Sequence, residues 1–99
     1  MIVTSGATEA LAAATLALLS PGDEAVILEP AYDSYGPQVL RAGGVPRFVR
    51  LEPPNWTITA EALEAVTTPR TKVVLFNNPL NPAARVYSAE EMTVLAEWC

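Results

Sequence analysis

Residues 25–29 read Ala-Val-Ile-Leu-Glu, four apolar side chains in a row closed by a carboxylate. Pro21-Gly22-Asp23 precedes the run and Pro30 follows it, so turn-forming residues bound it on both sides. Five residues are too few for a helix, and the apolar positions do not alternate with polar ones. The pattern predicts a strand buried on both faces, the kind that lies inside a parallel sheet.

Such a strand needs helices over its faces, and the flanking sequence predicts them. Ala7 to Leu19, rich in Ala, reads as a helix ended by Ser20-Pro21-Gly22-Asp23, with Met1 to Thr4 as a short strand ahead of it. Asp33 to Ala42 reads as a second helix, capped by Asp33 or Ser34, with Pro37 in its first turns and Gly43-Gly44 as its stop. Pro46 to Leu51 is a strand and Glu52-Pro53-Pro54-Asn55 a loop. Thr59 caps a short helix, with Ile58 and Leu63 spaced as a hydrophobic staple. Lys72 to Phe76 is another buried strand. Ser88 and Glu91 then form a capping box, with Tyr87 and Met92 as its staple. The order is β-α four times over, which implies an α/β fold with a mostly parallel sheet, flanking helices and right-handed crossovers. The last helix places Met92, Leu95, Ala96 and Cys99 on one stripe that runs to the final residue without a cap, and the first strand starts at residue 1. The chain is therefore expected to be an internal piece, truncated at both ends, of a longer domain.

Composition narrows the function. The chain is 51% hydrophobic and 17% charged, as in an ordinary globular segment of one domain at most. Six Lys plus Arg against eleven Asp plus Glu give a net charge of -5, with no footprint for nucleic acid or an anionic membrane. The longest apolar stretch, Ala10 to Leu19, is too short to span a bilayer, and no basic leader precedes it. A single Cys excludes an internal disulfide and points to a reducing, cytoplasmic setting. The absence of His removes His-based triads and the commonest metal ligand, so no metal site is expected.

In open α/β sheets ligands bind at the carboxyl ends of the strands. Three features are expected there. Ser5-Gly-Ala-Thr-Glu9 opens the first helix: the free N–H groups of Ala7 and Thr8 suit a phosphate, but from the motif alone a plain turn using Gly6 for its geometry is the preferred reading, and Glu9 would oppose an anion if it pointed inward. Tyr32, after the central strand, can lie on a planar ring or pack on the sheet edge, while Tyr35 is expected to face the core. Asn77, Asn78 and Asn81, in Asn-Asn-Pro-Leu-Asn-Pro-Ala-Ala-Arg-Val-Tyr (77–87), are amides able to bond a polar ligand atom. For Asn77 and Asn78, turn chemistry is the preferred reading.

The segments TSGATEAL, PGDEAVILEPAYDSY, AGGVPRFV, TPRTKVVLFNNPLNP and YSAEE resemble, in order and spacing, the class I/II aminotransferases, pyridoxal 5'-phosphate (PLP) enzymes of fold type I. The resemblance covers essentially the whole chain. It looks closest to the branch of kynurenine, methionine and succinyldiaminopimelate aminotransferases. It implies that Gly6, Ala7 and Thr8 hold the cofactor phosphate, that Tyr32 stacks on the pyridine ring, and that Asn81 bonds the ring's 3-oxygen. It also implies that Glu29-Pro30 and Asn81-Pro82 are often cis. Its substrates would be an amino acid and a 2-oxo acid, and the full-length protein a homodimer. The family's lysine, its pyridine-pairing aspartate and its carboxylate-binding arginine would all lie beyond residue 99. The 99 residues would then hold no catalytic residue and be inactive alone, with the first strand lacking its neighbours.

One departure stands out. Where the family usually reads N-P-T-G, this chain reads Asn81-Pro82-Ala83-Ala84, which leaves the course of that loop open. Lys72 begins a strand, at the wrong end of the sheet for the site, and Arg85 is an anion-ligand candidate without a matched family role. A PLP-dependent carbon-sulfur β-lyase shares the same cradle. A non-catalytic nucleotide-binding α/β module would need more than the single glycine of residues 5–9. A purely structural domain leaves Tyr32 and the two Asn-Pro pairs without a common purpose.

Overall fold

The computed structural model describes all 99 residues. Seven elements follow in chain order: α1 (Gly6–Leu18), β1 (Glu24–Glu29), α2 (Tyr35–Arg41), β2 (Val45–Arg50), α3 (Ala60–Glu64), β3 (Thr71–Leu75) and α4 (Ala89–Trp98). The strands form one parallel sheet in the order β2-β1-β3. The Ala-Val-Ile-Leu run is thus the central strand, and all four of its apolar residues are buried.

The two-residue period of a strand divides that run between two cores. Val26 and Leu28 join a cluster with Val49, Leu63, Leu80 and Leu95. Ala25 and Ile27 join a second with Leu19, Val39 and Leu75. Full burial stabilises each of Val26, Ile27 and Leu28 by about 1.5–3 kcal/mol relative to exposure. Because Val39 belongs to α2, the chain goes from β1 to β2 over the Ile27 face. It then reverses direction along the sheet and reaches β3 through α3, which carries Leu63, over the Val26 face. A crossover of constant hand has to change face when it reverses direction.

Local signals set the helix ends. The Thr59 side chain accepts from the Ala62 N–H at 3.3 Å, and Ser88 and Glu91 complete a reciprocal capping box. Ile58 and Leu63 meet in one core cluster, and Tyr87 and Met92 meet there too, as the staples require. Gly43, at φ +81°, ends α2 in a conformation that a Cβ would strain.

Two expectations need correction. Met1 to Thr4 forms no strand: the segment pairs with nothing, and Met1, Ile2 and Val3 are exposed. A strand exists only where a neighbour takes its N–H and C=O groups, and the three-strand sheet does not extend to it. Three β-α units therefore form, and the first helix stands without its strand. The second helix starts at Tyr35 instead of Asp33. Ser34 is its N-cap but makes no capping bond, and its Oγ accepts from Gln38 Nε2 at 3.2 Å.

At the amino end of the sheet lies a buried charge. The Glu24 side chain is fully buried and accepts from Thr68 Oγ1 at 2.6 Å, Arg47 Nη2 at 3.0 Å and Arg70 Nη2 at 3.3 Å. The Thr68 hydroxyl and then the Arg47 guanidinium hold its carboxyl below the ordinary value, against the cost of burial. Arg47 lies on β2, and Thr68 and Arg70 just before β3, so one carboxylate ties the starts of all three strands. No helix of the chain is long and apolar enough to cross a membrane.

Candidate functional site

β1 leads into α2 on one face of the sheet. Its neighbour β3 leads towards α4, whose Leu95 lies in the cluster on the other face. Where the connections of adjacent strands diverge, a crevice opens at their carboxyl ends. Tyr32 lies in the loop leaving β1 and Asn81 in the loop leaving β3, the two adjacent strands whose connections diverge. Thr8 and Ser34 line one groove between α1 and α2, which puts the first turn of α1 beside the entry to α2. That groove reaches neither Tyr32 nor Asn81.

At the start of α1, Gly6 has φ +72°, and a Cβ there would meet nothing within 4 Å. Its glycine serves the backbone turn and not a tight contact. Ala7 and Thr8 fall in the first helical turn, where the helix offers no carbonyl to their N–H groups. The Ser5 side chain makes no capping bond, and the Glu9 carboxylate accepts instead from the Ser5 N–H. Tyr32 is 46% exposed and meets only Tyr35 among aromatics, ring centroids 5.9 Å apart and nearly perpendicular. Tyr35 packs against the Ile27 cluster, as expected for a core-facing residue.

The loop after β3 separates its asparagines. Asn78 Oδ1 accepts from the Tyr87 N–H at 3.1 Å and so closes the loop, in keeping with its reading as turn chemistry. The Asn81 side chain is exposed and bonds nothing within the chain. The peptide bonds before Pro30 and Pro82 are cis, as are those before Pro54 and Pro79. The departure at Ala83-Ala84 resolves into a tight turn. The Leu80 N–H donates to the Arg85 carbonyl at 2.7 Å, the Ala84 N–H donates to the Leu80 carbonyl at 2.7 Å, and Ala84 takes φ +54°. Alanine thus adopts a left-handed conformation where the family motif has glycine.

Arg85 is committed within the chain. Its Nη2 donates to Glu91 Oε2 at 2.8 Å, and its guanidinium lies 4.7 Å from the Tyr87 ring centroid. Glu91 is more than a cap. It is buried, and Oε1 also accepts from the Ile58 N–H at 3.2 Å, while Oε2 accepts from the Ser88 N–H at 3.0 Å. Burial pushes its carboxyl up, but the bonds from Arg85, Ser88 and Ile58 prevail and leave it below the ordinary value. The capping box announced Glu91 in the sequence. Nothing announced Ile58, 33 residues away, as a further partner. Lys72 is exposed near the start of β3, at the end of the sheet away from Tyr32 and Asn81.

Comparison with known proteins identifies the family and the fold. The model of the family Aminotransferase class I and II matches residues 1–99. A probable N-succinyldiaminopimelate aminotransferase of Mycobacterium tuberculosis is 46% identical over 99 residues, covering 98% of this chain and 25% of that protein. An aspartate aminotransferase of Geobacillus stearothermophilus is 46% identical over 100 residues, covering 100% of this chain and 25% of its own length. Among solved structures, a double mutant of Thermus thermophilus aspartate aminotransferase superposes with a TM-score of 0.94 at 39% identity, over 98% of this chain and 26% of that one. The chain spans about a quarter of the length of the curated relatives it matches.

Proposed function

The chain belongs to the class I and II aminotransferase family, and on that premise we propose that residues 1–99 are part of the cofactor-binding large domain of a PLP-dependent aminotransferase. The whole protein would move an amino group between an amino acid and a 2-oxo acid, as a cytoplasmic homodimer. The observation that carries the reading is the pair Tyr32 and Asn81 at the divergence of β1 and β3, with the Asn81 amide uncommitted while Asn78 is spent on the loop.

The residues fit the cofactor in three respects. The Ala7 and Thr8 N–H groups stand at the positive end of a 13-residue helix and suit a phosphate. Glu9 accepts from the Ser5 N–H and not from those two. Tyr32 offers an exposed aromatic surface to a planar ring, and Asn81 offers an amide N–H to an oxygen on that ring. When bound, the cofactor supplies a pyridine ring that draws electrons from the substrate's α-carbon. Gly6, Ala7 and Thr8 anchor, Tyr32 holds the ring plane and excludes water from one side, and Asn81 steadies the proton balance at the 3-oxygen. Lys72, the sole lysine, sits at the opposite end of the sheet and takes no part. The family resemblance implies a lysine as the proton-moving group, and Lys72 does not match it, so the 99-residue chain alone is expected to catalyse nothing.

Tyr32→Ala and Asn81→Ala in the full-length protein test this. Each is expected to weaken PLP retention on dialysis and to shift the visible absorbance of the bound cofactor. Unchanged retention and spectra in both variants would remove these residues from the site.

A further inference from the structure

Asn81 has no side-chain tie of its own, so its place depends on the turn that carries it. That turn is closed by the Leu80–Arg85 bridge, which fixes the residue immediately before Asn81 to the backbone of Arg85. The Arg85 side chain then leaves the turn and reaches Glu91 at 2.8 Å. Glu91 is held from two sides, by the Ser88 N–H at the start of α4 and by the Ile58 N–H before α3. A chain of contacts thus runs from Asn81 through the Arg85 backbone and guanidinium to a buried carboxylate on α4. Asn78 secures the inner limb of the loop through Tyr87. Arg85 is the side-chain tie of the outer limb, because Ala83 and Ala84 have no polar side-chain atom to offer.

We propose that Arg85 and Glu91 are positioning residues of the cofactor site, whose ion pair sets where the Asn81 amide meets the cofactor ring. The proposal rests on the reading of Asn81 as a ligand of the ring's 3-oxygen. Leu80 in the core and Ala83 packed against it already seat the turn, and a freely solvated arginine would leave its outer limb without a polar side-chain tie. The buried carboxylate converts it into a strut to α4. Removing either partner strands the other, so the strut fails from both ends.

The test uses the full-length protein loaded with PLP. Asn81→Ala, Arg85→Met, Glu91→Gln and the doubles Asn81→Ala/Arg85→Met and Asn81→Ala/Glu91→Gln are compared by PLP affinity and by the pH titration of the cofactor's visible band. Arg85→Met and Glu91→Gln are each expected to weaken PLP about 2- to 10-fold, the worth of one hydrogen bond. Both should move the titration midpoint in the direction that Asn81→Ala moves it. In the Asn81→Ala background the added effect of each should fall below about 2-fold, because all three act through one contact. Arg85→Lys keeps the charge and tolerates the fold, and it should retain most of the wild-type affinity and midpoint. If Asn81→Ala shifts the spectrum while Arg85→Met, Arg85→Lys and Glu91→Gln leave it at the wild-type value, the positioning role is wrong and the ligand role of Asn81 stands. Full additivity with Asn81→Ala also overturns the positioning role. A silent Asn81→Ala overturns both, and shows that the underlying reading failed first.

Discussion

Ala84 is the place where this chain departs most sharply from its family's motif, and replacing it with glycine should strengthen the loop. At φ +54° its Cβ crowds the backbone, which costs an L-residue about 1–2 kcal/mol. The turn holds it there through the 2.7 Å bond from its N–H to the Leu80 carbonyl. Ala84→Gly relieves the crowding but gives back about 0.4–1 kcal/mol through the wider freedom of the unfolded chain. The midpoints of those two ranges favour glycine by about 0.8 kcal/mol. Native-state hydrogen exchange reads it directly, since local opening frees that N–H. Corrected for intrinsic rate, the amide at position 84 should exchange about 2- to 5-fold more slowly in the variant. Amides of β1 should not change. Faster exchange at position 84, with β1 unaltered, would show that the left-handed turn is not strained, or that the loop does not take this course.

Asn78→Ala leaves the Tyr87 N–H without its acceptor, a loss of about 1–2 kcal/mol. The Tyr87 amide should therefore exchange about 5- to 30-fold faster. Lys72→Ala should leave PLP affinity unchanged within measurement error, because Lys72 is exposed at the far end of the sheet. Equilibrium titration of the apo form with PLP checks it. Glu24 and Glu91 both ionise below the ordinary 4.5 in the folded chain, so the unfolded chain takes up protons first as the pH falls. Their stabilisation is complete above about pH 4.5 and is lost as the pH falls from there through the folded values. Urea midpoints should decline in that window, and Glu24→Gln with Glu91→Gln should flatten the decline.

Features that rest on short-range chemistry were legible in the sequence. The Thr59 cap and the Ser88–Glu91 box each join residues three apart, so spacing alone reveals them. The burial of Val26, Ile27 and Leu28 was legible because a continuous apolar run allows few alternatives. The turn role of Asn78 was readable, since Asn-Pro is turn chemistry, but Asn81 also precedes proline and only the family resemblance set it apart. Glu24 was not legible. It follows Asp23 in a turn and looks like a loop carboxylate, and its partners stand 23, 44 and 46 residues downstream. Met1 to Thr4 has the composition of a strand, but pairing is a property of the neighbour and not of the segment. Arg85 offered an anion site on composition alone, and only the folded loop shows its charge already matched by Glu91.

The central place of β1 has a consequence for how the chain is made. Its partners lie on both sides and are both synthesised later: β2 completes one edge, and the Glu24 contacts on the β3 side wait 44 and 46 residues. At about 5–20 residues per second, a ribosome needs roughly 2–9 s to add them. For that interval a sticky Ala-Val-Ile-Leu segment is out of the tunnel with an unsatisfied edge, the condition under which nascent chains adhere to one another. Glu24 and Glu29 flank it with negative charge throughout the wait. The carboxylate that later clamps the sheet thus begins as a gatekeeper against aggregation on the ribosome.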